Sequence, residues 1–192
     1  MISNSDRRTT VHVVESDHVW GPPTAPVTLL EYGDYECPYC GQAHFVVKEL
    51  QRHLGRTLRF VYRHFPLTMI HPHAQRAAEA AEAAGAQGKF WDMHDMLFEN
   101  QQALDDHNLV LYATALDLDV SRFTDDLATH AHLDRIGEDF RRGARNGVNG
   151  TPTFMINGVR HDGPFDLISL MDSVNAAMQP ASDNRRQERP RA

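Results

Sequence analysis

The chain has 192 residues, 41% of them hydrophobic and 23% charged, enough to bury a full core without staples and ordinary for a globular protein. Its 19 Lys and Arg against 26 Asp and Glu give a formal charge of −7. That balance argues against nucleic acid as a partner, because phosphate binding needs a basic surface.

Residues 1–26 read as a lead-in with a short β-like run at Thr10 to Val14, closed by Gly21, Pro22, Pro23 and Pro26. Residues 27–33, VTLLEYG, are apolar and bounded by Pro26 and Gly33, the pattern of a buried strand. Cys37 to Leu54 reads as a helix with Phe45, Leu50 and Leu54 at apolar positions and Gly55 where a terminating glycine belongs. Leu58 to Phe65 is a second strand, ended by Pro66. Strand, helix and parallel strand make a βαβ unit. A helical block follows: His73 to Gln87, Phe90 to Phe98, Asp106 to Leu116, and Ser121 to about Arg145 with a break expected near Leu133. Gly147 to Gly150 interrupts the pattern. Thr153–Ile156 and Val159–His161 then flank Asn157-Gly158, a strong hairpin signal. Pro164 is expected to open a last helix, and the polar tail 179–192 is expected to be disordered. The order β-α-β, helices, β-β-α predicts a thioredoxin-like α/β fold: a four-stranded mixed sheet flanked by helices, built from residues 27–66 and 147–178, with an inserted α-helical subdomain at 67–146.

The two cysteines, Cys37 and Cys40, form the segment Cys37-Pro38-Tyr39-Cys40 where a strand gives way to a helix. Positions i and i+3 of a helix share a face, within the Cα separation of about 4.4–6.8 Å that a disulfide needs. Pro38 fits only the first turn, which places Cys37 at the N-cap beside unpaired backbone N–H groups, where thiolate is stabilised. Cys40, one turn deeper, is the natural resolving thiol. A redox pair is preferred over a zinc half-site, which would need ligands beyond His44, and over two inert core cysteines. No metal is expected. The twelve histidines, including the cluster His64, His71, His73 and His94, are assigned structural roles such as capping, and Phe90 and Trp91 are assigned to the core of the helical block. Glu31 shares a strand face with Val27 and Leu29. It reads equally as a buried proton acceptor and donor for Cys40 or as a strand-end carboxylate reaching solvent. Thr151-Pro152 precedes a strand, and its peptide bond reads as trans from the residues alone.

The segments APVTLLEYGDYECPYCGQAH, YRHFPL, HPHAQRAAEAAEAAGAQGKFWDMHDMLF and GVNGTPTFMINGVRHDG together resemble the DsbA-like thioredoxin-fold protein-disulfide oxidoreductases, over roughly residues 17 to 178. The resemblance implies Cys37 as nucleophile, Cys40 as resolving cysteine and Glu31 as buried acid. It also implies Pro152 as a cis-proline preceded by Thr151, with Pro38, Tyr39, Thr151 and Pro152 meeting substrate. The expected activity is disulfide exchange with protein cysteines, without a cofactor other than the Cys37–Cys40 disulfide. The expected redox partner is glutathione, a thioredoxin-type protein or a membrane oxidant. The Pro-Tyr dipeptide also matches glutaredoxins, so a glutathione-coupled reductase or transferase is the enzymatic alternative. A polypeptide-binding module with an incidental CxxC is the non-enzymatic one. No membrane association is expected, and the oligomeric state is expected to be monomer or weak dimer. Arg7 and Arg8 are not followed by an apolar segment, which points to the cytoplasm; exported relatives make an extracytoplasmic location the alternative.

Overall fold

The computed structural model describes residues 10–179. Most of the 179–192 tail and the Arg7-Arg8 segment lie outside that range.

Five strands form one mixed sheet. Strand β1 is His18–Trp20, β2 is Val27–Gly33, β3 is Leu58–His64, β4 is Thr153–Ile156 and β5 is Val159–Arg160, in the spatial order β1-β3-β2-β4-β5. β2 and β3 run parallel from Val27 opposite Leu58 to Gly33 opposite His64, while β4 pairs antiparallel to β2. Helix α1, Pro38–Leu54, makes the crossover between the parallel strands. Between β3 and β4 come five helices: α2 Ala74–Gly85, α3 Phe90–Glu99, α4 Asp106–Ala115, α5 Val120–Ala128 and α6 Leu133–Arg145. Helix α7, Leu167–Met178, closes the chain order. The thioredoxin-like class expected from the sequence is therefore the one found.

The sheet has five strands where four were expected, because the lead-in contributes a strand at a different place. Residues 10–14 form no strand. The guanidinium of Arg63 takes the His12 carbonyl at 2.8 Å, and the Asp17 carboxylate takes the Val14 N–H at 2.8 Å. With those groups committed, pairing starts at His18, opposite Tyr62, and runs to Trp20, opposite Phe60. Gly21 then ends β1 at φ +88°, and a Cβ there would lie 2.4 Å from the Leu58 carbonyl oxygen, so no other residue fits. The last helix also starts later than Pro164. Asp166 caps it by accepting the Ser169 N–H at 3.0 Å, an aspartate N-cap. The stretch from Ser121 divides into α5 and α6 around His130, at φ 53°.

Alternation along the strands sorts the core into two faces. Val27, Leu29, Phe60, Tyr62, Phe154 and Ile156 pack toward α1, α7 and the helical block. Leu30, Tyr32, Val61 and Met155 pack with Phe65 and Val148 on the other side. All seven residues of β2 are buried. Glu31 therefore follows Val27 and Leu29 onto the first face, in register with Tyr62 and Phe154.

Candidate active site

The turn from β2 into α1 is held by side chains distant in sequence. Asp34 is buried; its Oδ1 accepts the Glu36 N–H and its Oδ2 accepts both the Leu67 N–H and His71 Nδ1, each at 2.8 Å. Its carbonyl accepts the Cys37 N–H at 3.2 Å. Glu36 reaches His73 Nδ1 at 2.9 Å. From beyond α3, Gln101 donates its side-chain amide to the carbonyls of Tyr35 at 2.9 Å and Cys37 at 2.8 Å. That clamp explains Gly41, where a Cβ would lie 2.1 Å from Gln101 Oε1. The strand-to-helix junction is thus fixed from two sides before any substrate arrives.

Cys37 occupies the N-cap of α1 with Pro38 in the first turn. Both cysteines are free thiols; Cys37 is 4% exposed and Cys40 fully buried. Cys37 Sγ lies 3.5 Å from the Thr151 carbonyl oxygen, and the Thr151–Pro152 peptide bond is cis. Pro38 and Tyr39 are exposed, and Thr151 and Pro152 are half-buried. The Thr151 hydroxyl is buried without a hydrogen-bond partner.

The two thiols are driven apart in acidity. A hydrogen bond from the Cys40 thiol, reinforced by backbone groups of Cys40 and Tyr39, brings Cys37 down to about 5 against the opposing effect of burial. Burial, the hydrogen bond to Cys37 and the Glu31 charge push Cys40 well above an ordinary thiol. Near neutrality the pair holds a thiolate at the surface side and a proton one turn below. Iodoacetamide should label reduced protein at one position, Cys37, with a midpoint near pH 5, while Cys40 stays unmodified through pH 8. Peptide mapping by mass spectrometry reads both sites, and equal labelling at pH 6 would contradict the assignment.

Glu31 is 2% exposed, and its Oε1 has no hydrogen-bond partner. Burial, then the nearby Cys37 charge, raises its pKa to about 8. The strand-end reading, in which this carboxylate reaches solvent, is set aside by that burial. The structure also supplies what the sequence reading missed: Asp34, Gln101, and Tyr35, whose hydroxyl meets His94 Nδ1 at 3.1 Å. Among the described residues, two clusters group three metal-ligand side chains, His18 with His64 and Glu82, and His44 with His94 and Asp95; neither includes a cysteine. No helix of the described residues is long and apolar enough to cross a membrane.

The thioredoxin family profile matches residues 13–176. A curated relative, the Na(+)/H(+) antiporter NhaA 3 of Salinispora tropica, is 49% identical over 167 residues, covering 87% of this chain and 26% of the relative. The chain thus spans about a quarter of the length of the curated relatives it matches. Among solved structures, a thioredoxin-like oxidoreductase from Silicibacter pomeroyi is 29% identical with a TM-score of 0.76, covering 86% of this chain and 94% of that one. BdbD from Bacillus subtilis, oxidised, superposes with a TM-score of 0.79 at 20% identity, covering 88% and 97%.

Proposed function

The chain belongs to the thioredoxin family, in its DsbA-like group, and on that premise we propose that it exchanges disulfides with protein cysteines through Cys37 and Cys40. One observation carries the reading: a strongly acidic thiol at a helix N-cap, 3.5 Å from the Thr151 carbonyl, backed one turn deeper by a buried thiol that keeps its proton. The antiporter name belongs to much longer proteins and contributes nothing to this reading of the matched quarter.

In the reducing direction the Cys37 thiolate attacks a substrate disulfide, expelling one substrate thiolate and leaving a mixed disulfide. Cys40 then gives its proton to Glu31 and attacks Cys37 Sγ, which releases the second substrate thiolate and forms the Cys37–Cys40 bond. In the oxidising direction a substrate thiolate attacks Cys37 of that bond, and Cys40 leaves, taking a proton from Glu31. A second substrate thiol, as thiolate, then attacks the substrate sulfur and frees Cys37 as a thiolate. Pro38, Tyr39, Thr151 and Pro152 provide the surface on which the substrate chain lies. No cofactor is needed beyond the dithiol. Glutathione, a thioredoxin-type protein or a membrane oxidant resets it.

A stabilised Cys37 thiolate stabilises the reduced protein and makes the disulfide the stronger oxidant. Compartment then sets direction: a reducing cytosol holds the pair as dithiol, and an oxidising compartment draws disulfides out of it. Equilibration in glutathione buffers with thiol labelling tests the proposal. The expected potential lies well above the roughly −270 mV of thioredoxin, toward the about −120 mV of DsbA. A value at or below −270 mV would overturn the oxidant reading. A glutathione adduct on Cys37 as the turnover species would favour the glutathione-coupled alternative.

A further inference from the structure

His44, His94 and Asp95 form a cluster that the exchange chemistry does not use, and we propose that they bind a zinc-class divalent metal ion between α1 and α3. Their ligand atoms lie within 4.8 Å of one another and line a cavity of about 70 Å³, room for an ion and a bound water. His44 is 3% exposed, and its Nε2 has no hydrogen-bond partner. An orphaned imidazole nitrogen bordering a cavity lined by two further donors needs an occupant. The neighbouring cluster of His18, His64 and Glu82 does not: both imidazole Nε2 atoms already bond Glu82 Oε1, at 2.9 and 2.8 Å.

The other two ligands are already oriented. His94 Nδ1 meets the Tyr35 hydroxyl at 3.1 Å, which leaves Nε2 to ligate. Lys48 pairs with Asp95 Oδ2, which leaves Oδ1 on the side of His44 Nε2, 3.9 Å away. Outer partners of this kind fix tautomer and carboxylate orientation in metal sites. Ligands about 2 Å from a tetrahedral ion stand roughly 3.3 Å apart, so about half an ångström of closure completes that edge. Two imidazoles and one carboxylate suit zinc, copper or nickel rather than calcium or magnesium. His44 lies one turn beyond Cys40 on α1, so a bound ion ties the active-site helix to the helical block.

The test uses the full chain with Cys37 and Cys40 oxidised, since these are the only two cysteines and oxidation removes competing thiolates. Titration with Zn²⁺ should saturate at one equivalent and raise the thermal midpoint. Co²⁺ should give visible d–d bands without thiolate charge transfer. His44→Gln and Asp95→Asn should each weaken Zn²⁺ binding at least about tenfold, while His18→Gln leaves it unchanged. Asp95 is partly exposed, so Asp95→Asn decides the matter if His44→Gln fails to fold. Absence of saturable binding, Ca²⁺ binding as tightly as Zn²⁺, binding that survives Asp95→Asn within twofold, or loss of binding with His18→Gln would each overturn the site.

Discussion

Glu31→Gln should stabilise the reduced protein by about 2–3 kcal/mol at pH 7 and slow the resolving step of exchange. The folded carboxyl has a pKa near 8 against 4.5 in an unperturbed chain. At pH 7 unfolding therefore ionises it, and the 2.5-unit gap between pH 7 and 4.5 favours the unfolded chain at about 1.4 kcal/mol per unit. The sign follows from the raised folded pKa. The penalty is absent below pH 4.5, where both states are protonated, grows up to about pH 8, and is constant above it. Burying the glutamine amide without partners takes back part of the gain. Urea titrations of both proteins at pH 4, 7 and 9 should show nearly equal stability at pH 4 and a growing advantage for Glu31→Gln above it. In single-turnover reduction of a protein disulfide, the first attack by Cys37 should be unchanged. Resolution by Cys40 should slow by about a hundredfold, the scale of a lost positioned base. A clear loss of stability at pH 7 with unchanged resolution would make Glu31 a structural hydrogen-bonding residue instead.

Asp17→Ala should destabilise the fold by about 3–5 kcal/mol, the cost of leaving a buried charge without its partner. Arg63 lies on β3 with its side chain 2% exposed, and Asp17 is fully buried against it. The pair is bidentate: Nε to Oδ1 and Nη2 to Oδ2, both at 2.8 Å. Tyr32 Oη and the His12 carbonyl accept two further N–H bonds, at 2.9 and 2.8 Å. Removing the carboxylate strips away the only anion among these partners. The double replacement Asp17→Leu, Arg63→Met removes both charges and should recover much of the loss. Denaturant midpoints measure both. A loss under about 1 kcal/mol for Asp17→Ala would mean that water reaches the guanidinium and that this end of β1 is loosely held.

Much of the site was legible because it is local. The run VTLLEYG and its proline and glycine bounds gave β2 at Val27–Gly33 without error, and the position of Pro38 gave Cys37 as N-cap. Period-two alternation put Glu31 on the face of Val27 and Leu29 but left open whether its carboxyl reached solvent; the structure buries it without a partner for Oε1. Asn157-Gly158 forms the hairpin turn with φ of 47° and 81°. What escaped depends on contacts between distant residues. Gln101 reaches back 64 and 66 residues to the carbonyls of Cys37 and Tyr35, and no periodicity encodes that. A signal existed in Gly41, a glycine early in a helix with no turn to make, which marks close approach by another group. Nothing local marks Asp17 either; its partner Arg63 lies 46 residues further along the chain. His94 read as a structural residue and His44 as a ligand without companions, because they lie 50 residues apart and only the packing of α3 on α1 brings them together. The β-like run at Thr10–Val14 failed for a related reason: side chains of Arg63 and Asp17 took the backbone groups that a strand would have used.

The central claim is that Cys37 carries the substrate and Cys40 resolves it. Cys40→Ser should be incubated with a disulfide-bonded protein substrate at pH 7 and the products mapped by non-reducing mass spectrometry. A mixed disulfide through Cys37 should accumulate and persist until dithiothreitol is added, while Cys37→Ser forms no adduct and shows no turnover. An adduct through Cys40 in Cys37→Ser, or no adduct in Cys40→Ser while the wild-type chain turns over, would contradict the assignment.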